Sequence, residues 1–434
     1  MINTKQFIEK IQQGCFDDRL KQLYVFREQE KELNQAKNRA VHTIEGFCNA
    51  FPDRADAECA LYSGPGRTEI GGNHTDHQHG RVLCGSVAMD MLACVSPRQD
   101  GVIRIVSEGY PQLSIRLADT EKQAAEVNTS NALVRGVVAG IAQKGYSLNG
   151  FDAYITSAVP AGSGLSSSAA YEILVGNILN DLYCGGKLTA MELAQIGQYA
   201  ENVYFGKPCG LMDQAACSVG GVVAIDFADP KQPIVEKVEY NLAQSGYVLC
   251  IVDTGSCHAD LTDDYAGITQ EMGQVANWFG KQVLREVDPQ AFEQAIPQLR
   301  QQFGDRAVLR SMHFFAENER TAQQAEALKN GDMEAFLQLV RESGRSSALL
   351  LQNTWSVAEP AQQAIPLTLA VAEQVLQGSG AARVHGGGFA GTIQAFVPEA
   401  KLNEFVQRME TLLGAGKCHV MSIRSEGGCV VINP

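Results

Sequence analysis

The chain has 434 residues, of which 45% are hydrophobic and 19% are charged. This length and composition supply a large core and exceed one ordinary domain, so we expect two domains. Aspartate and glutamate number 49 against 35 lysines and arginines, and the formal charge of -14 argues against nucleic acid or an anionic lipid surface as a partner. No apolar run approaches the ~20 residues that cross a bilayer, and no signal-peptide core lies near the start.

Residues 2–50 are rich in lysine, glutamate, glutamine and arginine. Apolar side chains recur among them at helical spacing, at Phe7, Ile8, Ile11, Leu20, Leu23 and Tyr24. The pattern predicts an amphipathic helical leader that packs on the body of its own chain. A helix that binds a partner or a membrane surface is the alternative.

The twelve cysteines are scattered along the chain, which favours free thiols in a reducing compartment. We therefore expect a cytoplasmic protein that makes no membrane contact. The sequence predicts no particular oligomeric state.

The rest of the chain predicts an α+β protein, with long helical blocks followed by strands. Alternation over 102–117, with a turn at 109–111, predicts a hairpin. Further elements are expected in chain order: a buried helix over 131–145, strands from 151, over 220–227 and over 247–255, helices over 262–351, and a glycine loop that leads into a strand within 381–398.

The segment VPAGSGLSSSAAYEILVGNILNDLY, which starts at Val159, joins a strand end, a Gly-Ser loop and an apolar helical pattern. Gly162 and Gly164 allow the backbone to approach a ligand, and the hydroxyls of 166–168 lie beside the first unpaired amides of the helix. This arrangement suits phosphate, although it lacks the Gly-Lys-Ser/Thr ending of a P-loop and the dinucleotide spacing. An ordinary N-capped helix after a flexible turn is an equal alternative.

A second polar cluster lies in a glycine-rich stretch and comprises Arg67, Asn73, His74, Asp76, His77 and His79. Short donors and acceptors on a rigid loop suit the hydroxyl groups of a sugar or polyol. A transition-metal site is less favoured, because the spacing matches none of the usual ligand pairs. A solvated loop without a ligand is the remaining interpretation.

The segment AENVYFGKPCGLMDQAACSVGG places Glu201 twelve positions before Asp213. Near a phosphate loop, one carboxylate suits Mg²⁺ and the other suits proton transfer, although an isolated pair is more often two surface carboxylates. The segment HGGGFAG at 385–391 permits a close backbone approach, and alone it predicts a tight turn.

Together and in this order, the four segments resemble the galactokinase branch of the GHMP small-molecule kinases. GRTEIGGNHTDHQHGRVL is similar to the sugar signature GRVNLIGEHTDYNGGFVLP, and PAGSGLSSSAA to the phosphate loop of the superfamily. FGKPCGLMDQ resembles AGMPCGIMDQ, and GAARVHGGGFAGTIQAFV resembles GARMTGGGFGGCTVALV. Four motifs in the right order are far more specific than one.

The resemblance implies a two-domain GHMP kinase fold, with ATP and sugar between the domains. We expect a helical extension over 1–36, an α+β domain like ribosomal protein S5 domain 2 over 37–230, and a ferredoxin-like domain over 231–434. The implied reaction is ATP- and Mg²⁺-dependent transfer of the γ-phosphoryl group to the anomeric hydroxyl of galactose.

The resemblance also assigns residues. Asp213 is the implied base toward the sugar hydroxyl, and Arg67 lowers its pKa and stabilises the transferring group. Glu201 and Ser168 would hold Mg²⁺. The sugar site would comprise Asn73, His74, Asp76, Gly210 and Tyr265, and the ATP loop Gly162, Ser163, Gly164, Leu165, Ser166, Ser167 and Ser168.

Several positions depart from the signatures. Asn73 stands where the family has glutamate, His77 and Gln78 replace Tyr-Asn, and Ala390 and Thr392 replace Gly and Cys. Because an amide both donates and accepts, Asn73 predicts altered hydroxyl contacts. Galactose is the first choice of acceptor, and another hexose or an amino sugar is the alternative.

Two other functions remain open. A non-catalytic sugar and ATP sensor would not need the retained base and metal ligand. A mevalonate- or homoserine-like acceptor carries a carboxylate, which favours more cationic surroundings than the loop from Asn73 to Asp76 offers.

Overall fold

The computed structural model describes residues 2–159, 164–207, 209–256 and 261–433, apart from the side chains of Ala243 and Thr262. The elements up to residue 240 are β1 (Ile2–Asn3), α1 (Thr4–Gln12), α2 (Asp17–Leu23), α3 (Gln29–Ala50), β2 (Glu58–Gly71), β3 (Arg81–Pro97), β4 (Val102–Ser107), β5 (Leu113–Arg116), α4 (Ser130–Gln143), β6 (Phe151–Ser157), α5 (Ser167–Cys184), α6 (Ala190–Tyr199), α7 (Met212–Val219), β7 (Val222–Asp226) and β8 (Ile234–Val238).

The elements that follow are β9 (Tyr247–Asp253), α8 (Thr262–Trp278), α9 (Pro289–Phe303), α10 (Asp305–Lys329), α11 (Met333–Ser346), α12 (Ala364–Leu376), β10 (Ala381–His385), β11 (Thr392–Pro398), α13 (Leu402–Leu413), β12 (Cys418–Met421) and β13 (Cys429–Ile432). Two π-helical turns continue α6 and α11, at Ala200–Phe205 and Ser347–Leu351. The predicted α+β class is confirmed, and so are the hairpin of β4 and β5 and the buried helix α4.

Within the described residues, nine strands form the first sheet, whose central path runs β1-β2-β3-β6-β4-β5. Strands β7 and β8 extend it from β3, and the C-terminal β13 pairs with β2. The two faces of β2 and β3 alternate as a pleated sheet requires. Ala60 and Tyr62 face the core under α4 and α5, whereas Cys59 and Leu61 face the core under α1 to α3.

The leader therefore packs on the chain itself, as expected from its pattern. Phe7, Leu20 and Phe47 are buried in one cluster with strand residues of the first sheet. The leader is not one continuous helix, however. The first break, between α1 and α2, contains Gly14, whose φ of 82° lies in the left-handed region that glycine tolerates.

The second sheet runs β10-β11-β9-β12, and each neighbouring pair is antiparallel. Numbered from β9, this is the 4-1-3-2 order of a ferredoxin-like fold, so that prediction is confirmed. Helices α12 and α13 cover one face of this sheet, and α10 and α11 lie between the other face and the first sheet. Strand β10 was not expected from the sequence, which predicted only the glycine loop and the strand after it.

The domain boundaries stay predictions. Helix α3 continues through residues 36 and 37, and β8 lies after residue 230 but pairs with β7 of the first sheet. Every described cysteine is a free thiol.

Candidate active site

Arg67, near the end of β2, joins two of the predicted segments. Its Nε lies 2.7 Å from Asp213 Oδ1 and its Nη2 lies 2.9 Å from Asp213 Oδ2, a bidentate ion pair. Its remaining nitrogen, Nη1, donates to the carbonyl oxygen of Gly164. One guanidinium therefore spans the distance between the phosphate loop and the expected base.

The charges of this pair stabilise each other. Burial lowers the pKa of Arg67, but the carboxylate of Asp213 more than offsets this, so the pKa lies above its ordinary value. Burial raises the pKa of Asp213, and the guanidinium of Arg67 and the hydroxyl of Ser166 outweigh it, so the net shift is downward. Asp213 is therefore a carboxylate at neutral pH, with 28% of its side chain exposed.

The N-terminus of α5 has no side-chain cap. Ser166 precedes the helix at a φ of 54° and makes no side-chain cap, because its Oγ donates to Asp213 Oδ2 instead. The first amides of α5, starting at Ser167, therefore keep their capacity to bind an anion. This geometry favours the anion cradle over the ordinary N-capped helix.

Gly164 and Leu165 hold the described end of the loop in place. The amide of Arg67 donates to the carbonyl oxygen of Leu165 at 3.2 Å. A Cβ on Gly164, whose φ is 71°, would lie 3.0 Å from Thr392 Oγ1 and 3.4 Å from His385 Nδ1. The positive φ and these short distances favour glycine where the loop packs on the end of β10 and the start of β11. Gly162 and Ser163 lie outside the described residues.

Glu201 lies in the π-helical turn after α6 and is 2% exposed. Its Oε1 accepts from Ser168 Oγ at 3.2 Å, and Lys207 Nζ lies 3.5 Å from the same oxygen. Its Oε2 accepts from Gln214 Nε2 at 2.8 Å, and that amide nitrogen also contacts Glu172 Oε2 at 3.0 Å. A carboxylate and a hydroxyl are the hard oxygen ligands that Mg²⁺ prefers, so the donor set fits this ion.

Asn73 is fully buried and has protein partners on both ends of its amide. Its Nδ2 donates to Glu69 Oε1 at 3.0 Å and to the carbonyl oxygen of Gly386 at 2.7 Å. Its Oδ1 accepts from Asn353 Nδ2 at 2.8 Å and from Ser347 Oγ at 3.1 Å. The loop that carries Asn73 is thus bonded directly to the β10–β11 loop and to the segment from 347 to 353 after α11.

His74 and Tyr265 both bond the β10–β11 loop, which contains the three consecutive glycines at 386–388. Burial lowers the pKa of His74 to about 4, so the neutral ring donates from Nε2 to the carbonyl oxygen of Gly387 at 2.8 Å. Tyr265 donates to the carbonyl oxygen of Gly388 at 3.0 Å, and its ring centroid lies 6.3 Å from that of His74. Burial raises the pKa of Tyr265 to about 12, so its hydroxyl stays protonated.

Asp76 and Gly210 lie against each other. A Cβ on Gly210 would come within 2.3 Å of Asp76 Oδ2. Asp76 Oδ1 accepts from the amide of His77 at 2.9 Å. The predicted catalytic, sugar and magnesium residues that the structure describes lie near the end of β2, in the β2–β3 loop, at the starts of α5, α7 and α8, and in the α6–α7 connection. Hydrogen bonds link several of these segments to one another and to the β10–β11 loop.

The sequence interpretation missed the residues that contact the Asn73 loop from α10 and from the segment after α11. His313 Nε2 lies 2.9 Å from the carbonyl oxygen of Asn73, and Asn353 bonds both Asn73 and Gly387. Their separation from Asn73 by more than 200 positions left no local signal. Gln214 was adjacent to a predicted residue, and its place in the CGLMDQ motif was the one available signal.

The histidine cluster does not form a metal centre. Among the residues that the structure describes, no group of three or more His, Cys, Asp or Glu side chains could hold a metal ion. His77 packs its ring 6.2 Å from that of His74.

Among the residues that the structure describes, no helix is long and apolar enough to cross a membrane.

Comparisons with known proteins place this fold and site in a class. A family model for the GHMP kinases N terminal domain matches residues 132–221, and a galactokinase galactose-binding signature matches residues 45–97. A crystal structure of mevalonate kinase shares the fold, with 14% identity, a TM-score of 0.59, and coverage of 84% of this chain and 99% of that one. The fold is that of a GHMP kinase.

Similar proteins of known function indicate which kind of GHMP kinase the chain is. Galactokinase of Streptomyces coelicolor is 30% identical over 361 residues, which cover 82% of this chain and 89% of the relative. Galactokinase of Actinobacillus pleuropneumoniae is 32% identical over 342 residues, covering 78% and 85%. The Lactococcus lactis galactokinase complexed with galactose has 26% identity and a TM-score of 0.74, and the match covers 89% of this chain and 98% of that one. The chain belongs to the galactokinase family, and is therefore a phosphotransferase with an alcohol group as acceptor.

Proposed function

We propose that the protein is a sugar 1-kinase that uses ATP and Mg²⁺, most specifically a galactokinase that phosphorylates the anomeric hydroxyl of galactose. The observation that carries the proposal is the position of Arg67, which bonds the Gly164 carbonyl and the Asp213 carboxylate at once. Phosphoryl transfer depends mainly on alignment and charge neutralisation, and this arrangement offers both.

On the acceptor side, Asp213 orients the sugar hydroxyl and receives its proton. Its lowered pKa makes it a weak base, which suits a loose transition state in which the proton leaves late. The exposed 28% of its side chain leaves the carboxylate partly accessible. Arg67 keeps the carboxylate ionised and holds its orientation.

On the donor side, the open N-terminus of α5 binds the phosphates through backbone amides. Arg67 adds a fixed positive charge next to Gly164, where negative charge develops during transfer. The predicted ATP loop from Gly162 to Ser168 has this role as a whole.

Ser168 and Glu201 would hold the magnesium ion. When bound, Mg²⁺ neutralises phosphate charge and aligns the phosphate oxygens. We expect Glu201→Gln to weaken metal binding, measured as Mn²⁺ binding by electron paramagnetic resonance in the presence of ADP. Glu192→Gln is a matched control, because Glu192 is a helix-capping carboxylate at the start of α6.

The sugar site is formed by His74, Asp76, Gly210 and Tyr265, with Asn73 at its buried base. His74 and Tyr265 use polar atoms to hold the glycine loop, so their rings form walls. Asp76 supplies a carboxylate next to a bare glycine backbone, which leaves room for a hydroxyl-bearing ring.

The deciding experiment is a phosphorylation screen with galactose, glucose, N-acetylgalactosamine and related sugars, with the phosphorylated carbon located by NMR. We expect galactose 1-phosphate as the main product. Phosphorylation of another hexose or an amino sugar would support the kinase activity but change the acceptor. The replacement of the family glutamate by Asn73 is the reason to test these sugars. Sugar binding by calorimetry without any product would instead identify a non-catalytic sensor.

A further inference from the structure

Two departures from the sugar signature are complementary. The segment from Gly66 to Leu83 aligns without gaps with GRVNLIGEHTDYNGGFVL. In that alignment Glu69 stands where the signature has Asn, and Asn73 stands where it has Glu. The chain keeps one carboxylate and one amide at these positions and exchanges their places.

The exchanged residues contact each other. Asn73 Nδ2 donates to Glu69 Oε1 at 3.0 Å, and Arg383 Nη2 lies 2.7 Å from the same oxygen. Arg383 is fully buried, and its other nitrogens donate to backbone carbonyls of Ile70 and Val384. The carboxylate of the pair therefore lies on the strand, next to a fixed arginine, and the amide lies on the loop.

Asn73 has no capacity left for a sugar. Both amide hydrogens have acceptors and both lone pairs of Oδ1 have donors, all of them from the protein. A hydroxyl could bond Asn73 only by displacing one of these buried partners, which would leave that partner unsatisfied.

Glu69 has the capacity that Asn73 lacks. Both of its bonds end on Oε1, and none of the described residues donates to Oε2. The register of β2 is regular from Arg67 to Glu69, so both side chains project from the same face, and Arg67 reaches Asp213. The charge of Glu69 also interacts with that of Asp76, a residue of the sugar site.

The electrostatics of Glu69 point the same way. Burial raises its pKa to about 7, although Arg383 and Arg67 act to lower it. Burial therefore makes the ionised carboxylate less stable, relative to its protonated form, than that of an exposed glutamate. A hydroxyl that donates to Oε2 would stabilise the charged form, and burial would make that bond strong.

We propose that Glu69 is the residue that selects the acceptor sugar, through a hydrogen bond from one sugar hydroxyl to Oε2. Asn73, at the position to which the family resemblance assigns sugar contact, is a positioning residue that fixes Glu69 and the glycine loop. This inference rests on the proposed function, because it concerns the acceptor side of the same site.

The test compares the wild type with Glu69→Gln against the accepted sugar and its monodeoxy analogues. We expect Glu69→Gln to raise the sugar KM and dissociation constant by ~10- to 100-fold, with kcat and the KM for ATP within about threefold. One analogue, the one without the contacted hydroxyl, should bind both proteins equally. Glu126→Gln is the matched control, since Glu126 pairs with buried Arg135 and is not part of the proposed site.

Reversing the exchange of Glu69 and Asn73 gives a second test, which does not depend on Glu69→Gln alone. Asn73→Glu alone places two carboxylates in contact with one arginine, and we expect it to lose more sugar affinity than Glu69→Asn combined with Asn73→Glu. The inference is overturned if Glu69→Gln weakens all analogues equally, or if the double variant binds sugar no better than Asn73→Glu. Product formation by the wild type with an unchanged sugar dissociation constant in Glu69→Gln would overturn this inference alone. Absence of product with every sugar would overturn the proposed function, and calorimetry would still measure the effect of Glu69→Gln on sugar binding.

Discussion

Asp213 and Asp90 are two arginine-paired carboxylates with opposite surroundings. Asp213 has one arginine and one hydroxyl donor, Arg67 and Ser166, and 28% of its side chain is exposed. Asp90, on β3, is completely buried. The pKa of each lies below its ordinary value because nearby donors outweigh burial.

The donors of Asp90 come from elements that are far apart in the chain. Arg39 of α3 lies 2.5 Å from Oδ1, Arg424 lies 3.2 Å from Oδ2, and Tyr24 donates to Oδ2 at 2.7 Å. Ser63 of β2 donates to Oδ2 as well. Asp90 therefore fastens the leader and the C-terminal segment to the first sheet, whereas the side chain of Asp213 stays partly exposed.

The largest effect should come from Asp213→Asn. We expect kcat to fall by roughly 10³-fold, because the amide cannot receive the proton of the acceptor hydroxyl. Nucleotide affinity, measured by calorimetry with ADP, should change little. Near-normal turnover in this variant would show that Asp213 is not the base.

Asp90→Asn should have the reverse signature. Loss of the carboxylate leaves Arg39 and Arg424 without a buried counter-charge, so the free energy of unfolding should fall by about 3 kcal/mol. Urea unfolding measures this loss. The kcat of the folded fraction should stay near the wild-type value, and a selective loss of kcat without a change in stability would contradict the comparison.

The sequence pointed to Asp213 and gave no prediction for Asp90, for a physical reason. Asp213, Arg67 and Ser166 lie in compact motifs whose chemistry is visible locally, and the start of α5 follows from its apolar period. Asp90 draws its partners from segments up to 334 positions apart, so its role depends on tertiary packing. The same holds for Asn353 in the candidate site, and for β10, which is too short to show an alternating pattern.

Acid should remove the stability that the ionised carboxylate of Asp90 contributes. Each lowered pKa adds stability that is complete above the unfolded-chain value, about 3.9, and is lost as the pH falls through the folded-state pKa. The difference in unfolding free energy between the wild type and Asp90→Asn should therefore be largest above pH 4 and shrink below it. A difference that grows as the pH falls below 4 would mean that the folded-state pKa of Asp90 is not lowered.

The smallest effects come from a matched pair of serines, since Ser63 and Ser166 each donate to Oδ2 of their aspartate. Ser63→Ala removes the bond to a carboxylate that keeps three other donors, and also the bond that Ser63 Oγ accepts from Arg424 Nη1 at 2.7 Å. It should cost about 2 kcal/mol of unfolding free energy without changing kcat. Ser166→Ala should leave stability nearly unchanged. It should lower kcat roughly fivefold, because Asp213 loses a donor that fixes its orientation. The acidic limb of the plot of kcat against pH should move to higher pH, because the lost donor lowers the pKa of Asp213. If both variants changed the same quantity, the buried Asp90 and the partly exposed Asp213 would not differ in role. The exposure of Asp213 would then not indicate a function in catalysis.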